Sequence, residues 1–217
     1  LIRGMVREFA AADVAPIAAE IDREHRFPYE LLPKMADLNL MGMPFPEELG
    51  GAGADNVSYV IAVEELARVC ATTSLIMSVH TSLGTWPIYE FGTQEQKDRY
   101  LPDLLAGRRL ACFALTEPGA GTDVAAGTST AILKGDEYVL NGSKVFITNG
   151  GAADVFIVMA KTDPAAGARG ISAFIVEKDN PGLSIGEGER KMGIRASTTP
   201  PLYFADCRVP KDALLGG

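Results

Sequence analysis

One stretch decides how the chain is interpreted: Phe113-Ala114-Leu115-Thr116-Glu117-Pro118-Gly119-Ala120-Gly121-Thr122-Asp123. Its start belongs to an apolar run that predicts a strand from Leu110 to Leu115, and a proline and two glycines then break that pattern. Pro118 fixes one backbone angle, whereas Gly119 and Gly121 permit conformations that are closed to other residues. Such a loop is suited to hold a flat or anionic ligand with its backbone N–H groups, and an ordinary turn between two strands is the alternative.

The same stretch argues against two common nucleotide-binding motifs. A dinucleotide fingerprint requires G-x-G-x-x-G at the start of a helix, but Val124 stands at the third glycine position and a β-like run follows. A phosphate-binding P-loop requires a Gly-Lys-Ser/Thr ending, which is missing here. The sequence therefore predicts neither a Rossmann site nor a P-loop.

A second informative stretch is Asn141-Gly142-Ser143-Lys144-Val145-Phe146-Ile147-Thr148-Asn149-Gly150-Gly151. Asn141-Gly142 is a strong signal for a two-residue hairpin turn. The β-branched and aromatic run from Val145 to Ile147 predicts a strand that ends at Thr148, before another turn. The sequence thus contains two short strands that each end at a threonine beside a glycine-rich segment.

Composition narrows the classes of partner. The 217 residues are 47% hydrophobic and 22% charged, which is typical of a soluble globular protein. The net charge of −8 and the lack of any Lys/Arg cluster argue against nucleic acid or an anionic membrane as the main partner. Three scattered cysteines and two histidines have no metal-ligand spacing, so no metal site is predicted. An odd number of scattered cysteines predicts reduced thiols in a reducing compartment. Because Leu1 to Phe9 carries Arg3, Arg7 and Glu8 in a helical pattern, we do not expect it to be a signal peptide.

Hydrophobic periodicity divides the chain into two parts. Apolar residues recur at helical spacing from Ile2 to Ile21, with a kink or break expected at Pro16, and further helices are predicted up to Leu105. From Leu110 onward, short β-branched runs separated by Gly, Asn and Pro turns predict a barrel or a sandwich. We therefore predict a helical domain over residues 1–108 and a β domain over residues 109–217.

The two quoted stretches together resemble the paired flavin-binding segments of the acyl-CoA dehydrogenases. The resemblance continues through Lys191-Met192-Gly193-Ile194-Arg195-Ala196-Ser197-Thr198-Thr199 and Phe204-Ala205-Asp206-Cys207-Arg208-Val209-Pro210, and it covers essentially the whole chain in the expected order. It implies a multi-domain α+β fold, in which an N-terminal helical bundle precedes an antiparallel β-barrel or sandwich. The C-terminal four-helix bundle of the family has no counterpart in this sequence.

The resemblance also implies a cofactor, FAD, and a set of residues that bind it. Phe113, Leu115 and Thr116 would line the isoalloxazine ring, and Thr116 would donate a hydrogen bond to the pyrimidine edge. Phe146, Ile147 and Thr148 would cover another side, with the Thr148 hydroxyl near N5. The remaining two positions are Gly121 and Thr122, which would contact the pyrophosphate, and Thr122 would also face the substrate. A strand threonine bonded to a neighbouring carbonyl is the alternative for each hydroxyl.

The implied reaction is the α,β-dehydrogenation of an acyl-CoA thioester, with an electron-transfer flavoprotein as the partner that reoxidises the enzyme. Phenylalanine at position 146 resembles the short-chain, butyryl-type branch of the family. Glu117 belongs to the flavin loop and is rejected as the catalytic base. The family's catalytic glutamate lies on the later helical bundle, so no catalytic residue is assigned in this chain, and we expect a natural polypeptide of about twice this length.

The resemblance further implies a homotetramer at full length, in the cytoplasm of a bacterium or the mitochondrial matrix of a eukaryote. Two alternatives remain open. Relatives with the same flavin segments act as oxidases or monooxygenases, and a non-catalytic binding module could retain the scaffold without the base. Flavin bleaching by substrate favours the dehydrogenase, and a protein that takes up no FAD would leave only the binding module.

Overall fold

The protein is described here by a computed structural model of all 217 residues. Seven α-helices come first and seven strands follow. The helices are α1 (Ile2–Phe9), α2 (Ala15–Glu24), α3 (Leu31–Asp37), α4 (Asn56–Ala67), α5 (Ala71–Val79), α6 (Trp86–Phe91) and α7 (Gln94–Leu105). The strands are β1 (Ala111–Ala114), β2 (Thr130–Lys134), β3 (Glu137–Lys144), β4 (Val155–Lys161), β5 (Ile171–Glu177), β6 (Leu183–Ile185) and β7 (Leu202–Pro210).

Two π-helical turns interrupt the helical part, and each is followed by a proline. Ala10–Val14 joins α1 to α2, and Pro16 lies in the first turn of α2, where its missing N–H is tolerated. His80–Thr85 joins α5 to α6, and Pro87 occupies the equivalent position. The break that was expected at Pro16 is therefore a π-turn, in which one extra residue is inserted just before the proline.

Helix α7 begins with two reciprocal hydrogen bonds between Thr93 and Gln96. The Thr93 hydroxyl accepts the backbone N–H of Gln96 at 3.3 Å, and the Gln96 amide oxygen accepts the backbone N–H of Thr93 at 3.0 Å. This reciprocal pair is a capping box, and it satisfies two donors that the start of a helix would otherwise leave unpaired.

The strands form one curled, mixed sheet in the order β1-β4-β2-β3-β7-β6. β5 pairs with β4 but lies outside this order. β4 runs parallel to β1 and, through the pair Thr130 and Lys161, parallel to β2. The other four pairings are antiparallel. The predicted α+β fold, helical part first, is confirmed, and the sheet includes two parallel pairings beside the antiparallel ones.

Two local predictions in the second stretch are wrong. Asn141-Gly142 does not form a hairpin turn, since it lies within β3, where the register to β7 shifts between Leu140 and Gly142. The turn between β2 and β3 is instead made by Gly135 and Asp136. β3 ends at Lys144, so residues 145–147 are irregular rather than a strand. Pairing with β7 decided these points, and local turn propensity did not foresee it.

Three buried apolar clusters hold the fold together. The first belongs mainly to the helices, and the second fills the curled sheet. The third lies between them and joins Phe45, Ile88 and Leu104 of the helical part to Val155 and Ile157 of β4. Because this cluster extends across residue 108, the two parts share a core, and the division into two domains at that residue stays a prediction.

Candidate functional site

The two stretches singled out in the sequence lie side by side. The backbone N–H of Val145 donates to the carbonyl of Thr116 at 2.9 Å. One residue earlier on each segment, the Lys144 ammonium donates to the carbonyl of Leu115 at 3.0 Å. These contacts join the segment after β1 to the end of β3, so the residues around Thr116 and those that follow Lys144 share one region of the surface.

A buried ion pair anchors this contact. Lys144 Nζ lies 2.8 Å from Glu117 Oε1, and both side chains are almost fully buried. Burial by itself raises the pKa of Glu117, but hydrogen bonds from Lys144, Thr128 and Ser129 outweigh it and lower the pKa to about 2. Burial also lowers the pKa of Lys144, and the bond to Glu117 offsets part of that effect. Glu117 is thus a structural carboxylate and a poor proton acceptor.

Several donors beside this pair have no partner within the chain. The backbone N–H and the hydroxyl of Thr116 make no hydrogen bond, although the Thr116 carbonyl is used. The N–H and hydroxyl of Thr148 are likewise unused. Both residues are partly exposed, so these donors point to solvent or to a ligand. Thr116, which follows β1, and Thr148, which follows the end of β3, thus both have donors that no group of the chain uses.

The segment 146–150 is held in a strained shape. Phe146 and Asn149 adopt left-handed backbone conformations, with φ of 59° and 66°. Asn149 is fully buried, and its amide donates to the carbonyl of Ile76 in α5 at 3.1 Å. The Phe146 side chain is 64% exposed, which is unusual for a phenylalanine, whereas that of Ile147 is buried in the sheet core. Thr148 therefore lies where the sheet meets α5.

The glycine-rich loop closes on itself at Glu117, whose backbone exchanges two hydrogen bonds with Ala120. Gly119 and Gly121 do not use left-handed conformations, and a Cβ atom on either would meet no atom of the chain within 4 Å. The backbone N–H groups of Gly119, Gly121 and Thr122 make no bond within the chain. No contact inside the protein requires glycine at these positions. A glycine there leaves the backbone N–H groups open to a ligand that approaches from solvent.

The predicted residues do not all face one way. Phe113 packs against the cluster between the helices and the sheet, whereas Ile147 belongs to the core of the curled sheet. Leu115 and Thr116 follow β1 and adjoin the segment that contains Phe146 to Thr148. Gly121 and Thr122 are exposed on the loop beyond. The structure brings the two threonine segments together and places the glycine loop at their side.

One sizeable cavity lies elsewhere. It measures about 630 Å³, sits between α7 and the ends of β5 and β7, and contains none of the predicted site residues. Its wall includes Glu177, which accepts hydrogen bonds from Arg99, Tyr100 and Arg109. These contacts tie α7 to β5. No three or more His, Cys, Asp or Glu side chains are arranged to hold a metal ion.

Two family models match the chain: the N-terminal domain of acyl-CoA dehydrogenase over residues 1–108 and the middle domain over residues 112–207. The chain belongs to the acyl-CoA dehydrogenase family. Among curated members of that family, the short-chain specific acyl-CoA dehydrogenase of Clostridium acetobutylicum is 55% identical over 216 residues, which is 100% of this chain and 57% of that protein.

Solved acyl-CoA dehydrogenases share the fold. Butyryl-CoA dehydrogenase from Megasphaera elsdenii is 42% identical with a TM-score of 0.95, covering 100% of this chain and 57% of its own. An acyl-CoA dehydrogenase from Bacillus anthracis, solved in complex with FAD, is 41% identical with a TM-score of 0.91, over 100% of this chain and 37% of its own. The present chain thus spans little more than half the length of the curated relatives that it matches.

In this acyl-CoA dehydrogenase chain, sequence reasoning missed two residues of the site. Lys144 and Asn149 were part of the quoted stretch but had no role assigned to them. A lysine that directly precedes an apolar strand-like run is a usable signal, since a buried lysine requires a carboxylate partner. Asn149 carries no such signal, because its partner is a backbone carbonyl in α5.

None of the helices is both long enough and apolar enough to span a bilayer.

Proposed function

We propose that this chain is the FAD-binding part of an acyl-CoA dehydrogenase that converts a short- or branched-chain acyl-CoA into the trans-2-enoyl-CoA. In that reaction the C–H bonds at the α and β carbons break and a C=C bond forms, as a proton leaves the α carbon and a hydride leaves the β carbon. When bound, FAD supplies the hydride acceptor, N5 of its ring. The observation that carries the proposal is the pair of threonines with unused donors on adjoining segments, Thr116 and Thr148.

The residues present fit a flavin. The Thr116 N–H and hydroxyl are free to donate to the pyrimidine edge, and the Thr148 hydroxyl is free to donate near N5. The exposed ring of Phe146 provides an apolar wall that the chain itself does not cover. Leu115 extends this apolar wall, and Phe113 and Ile147, whose side chains pack in separate apolar clusters, are assigned to the site through the backbone of the two segments. Donors already aimed at the place where negative charge gathers need no rearrangement when the reaction occurs.

The glycine loop fits a pyrophosphate. Gly121 and Thr122 present unused backbone N–H groups on an exposed loop, and the Thr122 hydroxyl is accessible as well. Because a Cβ at Gly119 or Gly121 would meet no atom of the chain, the space beside this backbone is open to a phosphate group. We assign Gly121 and Thr122 to the pyrophosphate, and Thr122 in addition to the substrate.

The base that takes the α-proton is not among these residues. Glu117 is excluded because it is buried, paired with Lys144, and has its pKa lowered to about 2. Since the chain spans 57% of the Clostridium acetobutylicum relative, we propose that the natural polypeptide is longer and that the base lies in the remainder. We also propose a homotetramer that passes electrons to an electron-transfer flavoprotein, in a bacterial cytoplasm or a mitochondrial matrix.

The experiment uses the full-length protein. It should purify yellow or become so with FAD, and butyryl-CoA added without oxygen should bleach the flavin band while crotonyl-CoA is formed. An electron-transfer flavoprotein should restore the band quickly and O₂ slowly. Fast reoxidation by O₂ would favour an oxidase or monooxygenase on the same scaffold. A colourless protein that takes up no FAD would leave only a non-catalytic binding module.

A further inference from the structure

The Lys144 and Glu117 pair lies beside the proposed ring site, but the reaction itself makes no use of it. Lys144 is 2% exposed and Glu117 is 6% exposed, and no other acidic or basic side chain bonds to either. A buried ion pair gains little stability over apolar residues of the same shape, because both charges lose their hydration. Stability alone is therefore a weak reason for placing two charges here.

The pair controls the backbone from Leu115 to Glu117. Lys144 donates at 3.0 Å to the carbonyl of Leu115, which belongs to the same peptide unit as the Thr116 N–H. The next carbonyl, that of Thr116, accepts the N–H of Val145 at 2.9 Å. Because the Leu115 carbonyl and the Thr116 N–H lie on opposite sides of one trans peptide, the Thr116 N–H points away from the Lys144 ammonium. A planar peptide allows no other arrangement.

Glu117 anchors the other side of the loop. Its carboxylate accepts the backbone N–H of Thr128 at 2.6 Å, the Thr128 hydroxyl at 3.0 Å and the backbone N–H of Ser129 at 3.1 Å. These bonds tie the start of the loop to the residues just before β2. The loop in between, with Gly121 and Thr122, is thus held at both ends by one carboxylate.

We propose that Lys144 and Glu117 are a positioning pair, which sets the orientation of the Leu115–Thr116 peptide so that the Thr116 N–H is presented to the flavin ring. The inference deepens the proposed function and rests on FAD binding at this site, though not on the identity of the substrate. Neither residue touches the reacting atoms. Their charges cancel, so the ring meets an oriented donor without a net charge from the pair.

The test compares three variants of the full-length holoprotein by FAD titration and by the midpoint potential of the bound flavin. Lys144→Met leaves the carbonyl of Leu115 without its donor and Glu117 without its counter-charge. We expect FAD affinity to fall at least tenfold and the potential to become more negative. In the double variant with Glu117→Gln, the net charge is removed, so the potential should return toward wild type while the affinity stays low. Glu137→Gln, in an exposed pair with Arg208 that involves the same strand, is the control and should change neither quantity.

Gly127→Ala covers the case in which Lys144→Met does not fold. A Cβ at Gly127 would lie 3.1 Å from Glu117 Oε1 and 3.2 Å from the carbonyl oxygen of Val124, so this change pushes on the carboxylate without altering any charge. It should weaken FAD binding severalfold at an unchanged midpoint potential. An FAD affinity within twofold of wild type in Lys144→Met overturns the inference. If Lys144→Met does not fold, the same result in Gly127→Ala overturns it. Weaker FAD binding in Lys144→Met at an unchanged midpoint potential also overturns it. A wild-type protein that takes up no FAD overturns the proposed function as well, whereas FAD binding without dehydrogenation overturns the reaction alone.

Discussion

The imidazole of His80 accepts the backbone N–H of Ala111 at 3.1 Å, and its other nitrogen bonds to the carbonyl of Leu104 at 3.0 Å. One ring thus connects the π-turn after α5, the end of α7 and the first residue of β1. Nδ1 accepts and Nε2 donates, so the neutral form is required. Complete burial lowers the pKa of His80 to about 4, and the bond to Leu104 offsets only part of this effect.

We expect this histidine to make the protein acid-sensitive in a defined window. The pKa of His80 is about 6.5 in the unfolded chain and lower in the folded protein, so the unfolded chain takes up a proton first as the pH falls. The stabilising contribution of His80 is therefore complete above pH 6.5 and is lost as the pH falls toward 4. Between pH 7 and pH 5 the free energy of unfolding should fall by about 2 kcal/mol from this group. Urea unfolding of wild type and His80→Gln at both pH values measures it. Equal losses in the two proteins would contradict the assignment.

Gly84 is required by close packing against β1. A Cβ at this position would lie 2.8 Å from the carbonyl carbon of Ala111, and Gly84 itself is buried. Gly84→Ala should therefore cost about 1–3 kcal/mol of unfolding free energy through overpacking. Gly4→Ala is the matched control, since a Cβ on α1 meets nothing within 4 Å and should stabilise by about 0.5–1 kcal/mol. Thermal unfolding of both variants gives the comparison, and equal effects would contradict it.

Gln96 holds the segment after β7 against the start of α7. Its amide nitrogen donates to the carbonyls of Asp212 and Leu214 at 2.7 and 2.8 Å, and its oxygen also accepts the N–H of Gly216 at 3.2 Å. Gln96→Ala should cost about 2 kcal/mol, because it removes two partly buried hydrogen bonds at about 1 kcal/mol each, and it should speed hydrogen exchange at Gly216. Gln94→Ala removes one exposed bond to Asp98 and should change stability by less than about 0.5 kcal/mol. Unchanged exchange in the first variant would show that the segment is held by other contacts.

Thr148 tests the flavin site directly. Thr148→Val keeps the shape and removes the hydroxyl, so flavin reduction by substrate should slow by about tenfold, more than FAD binding weakens. Stopped-flow reduction and FAD titration separate the two effects. Thr130→Val is the control, since that β2 hydroxyl also has no partner in the chain but lies outside the proposed site. If both variants reduce at the wild-type rate, Thr148 does not donate to the ring.

Phe146 offers a comparison between two equally exposed aromatic residues. Phe146 and Phe91 are each 64% exposed, so neither truncation should change the unfolding free energy of the apoprotein by more than about 0.5 kcal/mol. Only Phe146 adjoins the proposed ring, and Phe146→Ala should weaken FAD binding by about tenfold. Phe91→Ala should leave the affinity unchanged. Equal affinities in the two variants would remove Phe146 from the cofactor wall.

Much of the fold follows from local pattern. The helical part was predicted to end at Leu105, as α7 does, because Tyr100, Leu101 and Leu104 recur at helical spacing. The short β-branched runs from Leu110 onward were predicted to be strands, and all seven strands lie there. Asn141-Gly142 shows the limit, because its turn propensity was overridden by pairing with β7 along the whole of β3.

By itself, the sequence determined the order of helices and strands, the family to which the chain belongs, and the two segments that meet at Thr116 and Val145. These depend on spacing and residue type along short stretches. Only the tertiary structure decided which charges are buried, which hydroxyls remain unused and which tautomer His80 adopts. The physical reason is that desolvation depends on neighbours far apart in the chain, as with Lys144 and Glu117, and no local pattern specifies how much water such neighbours exclude.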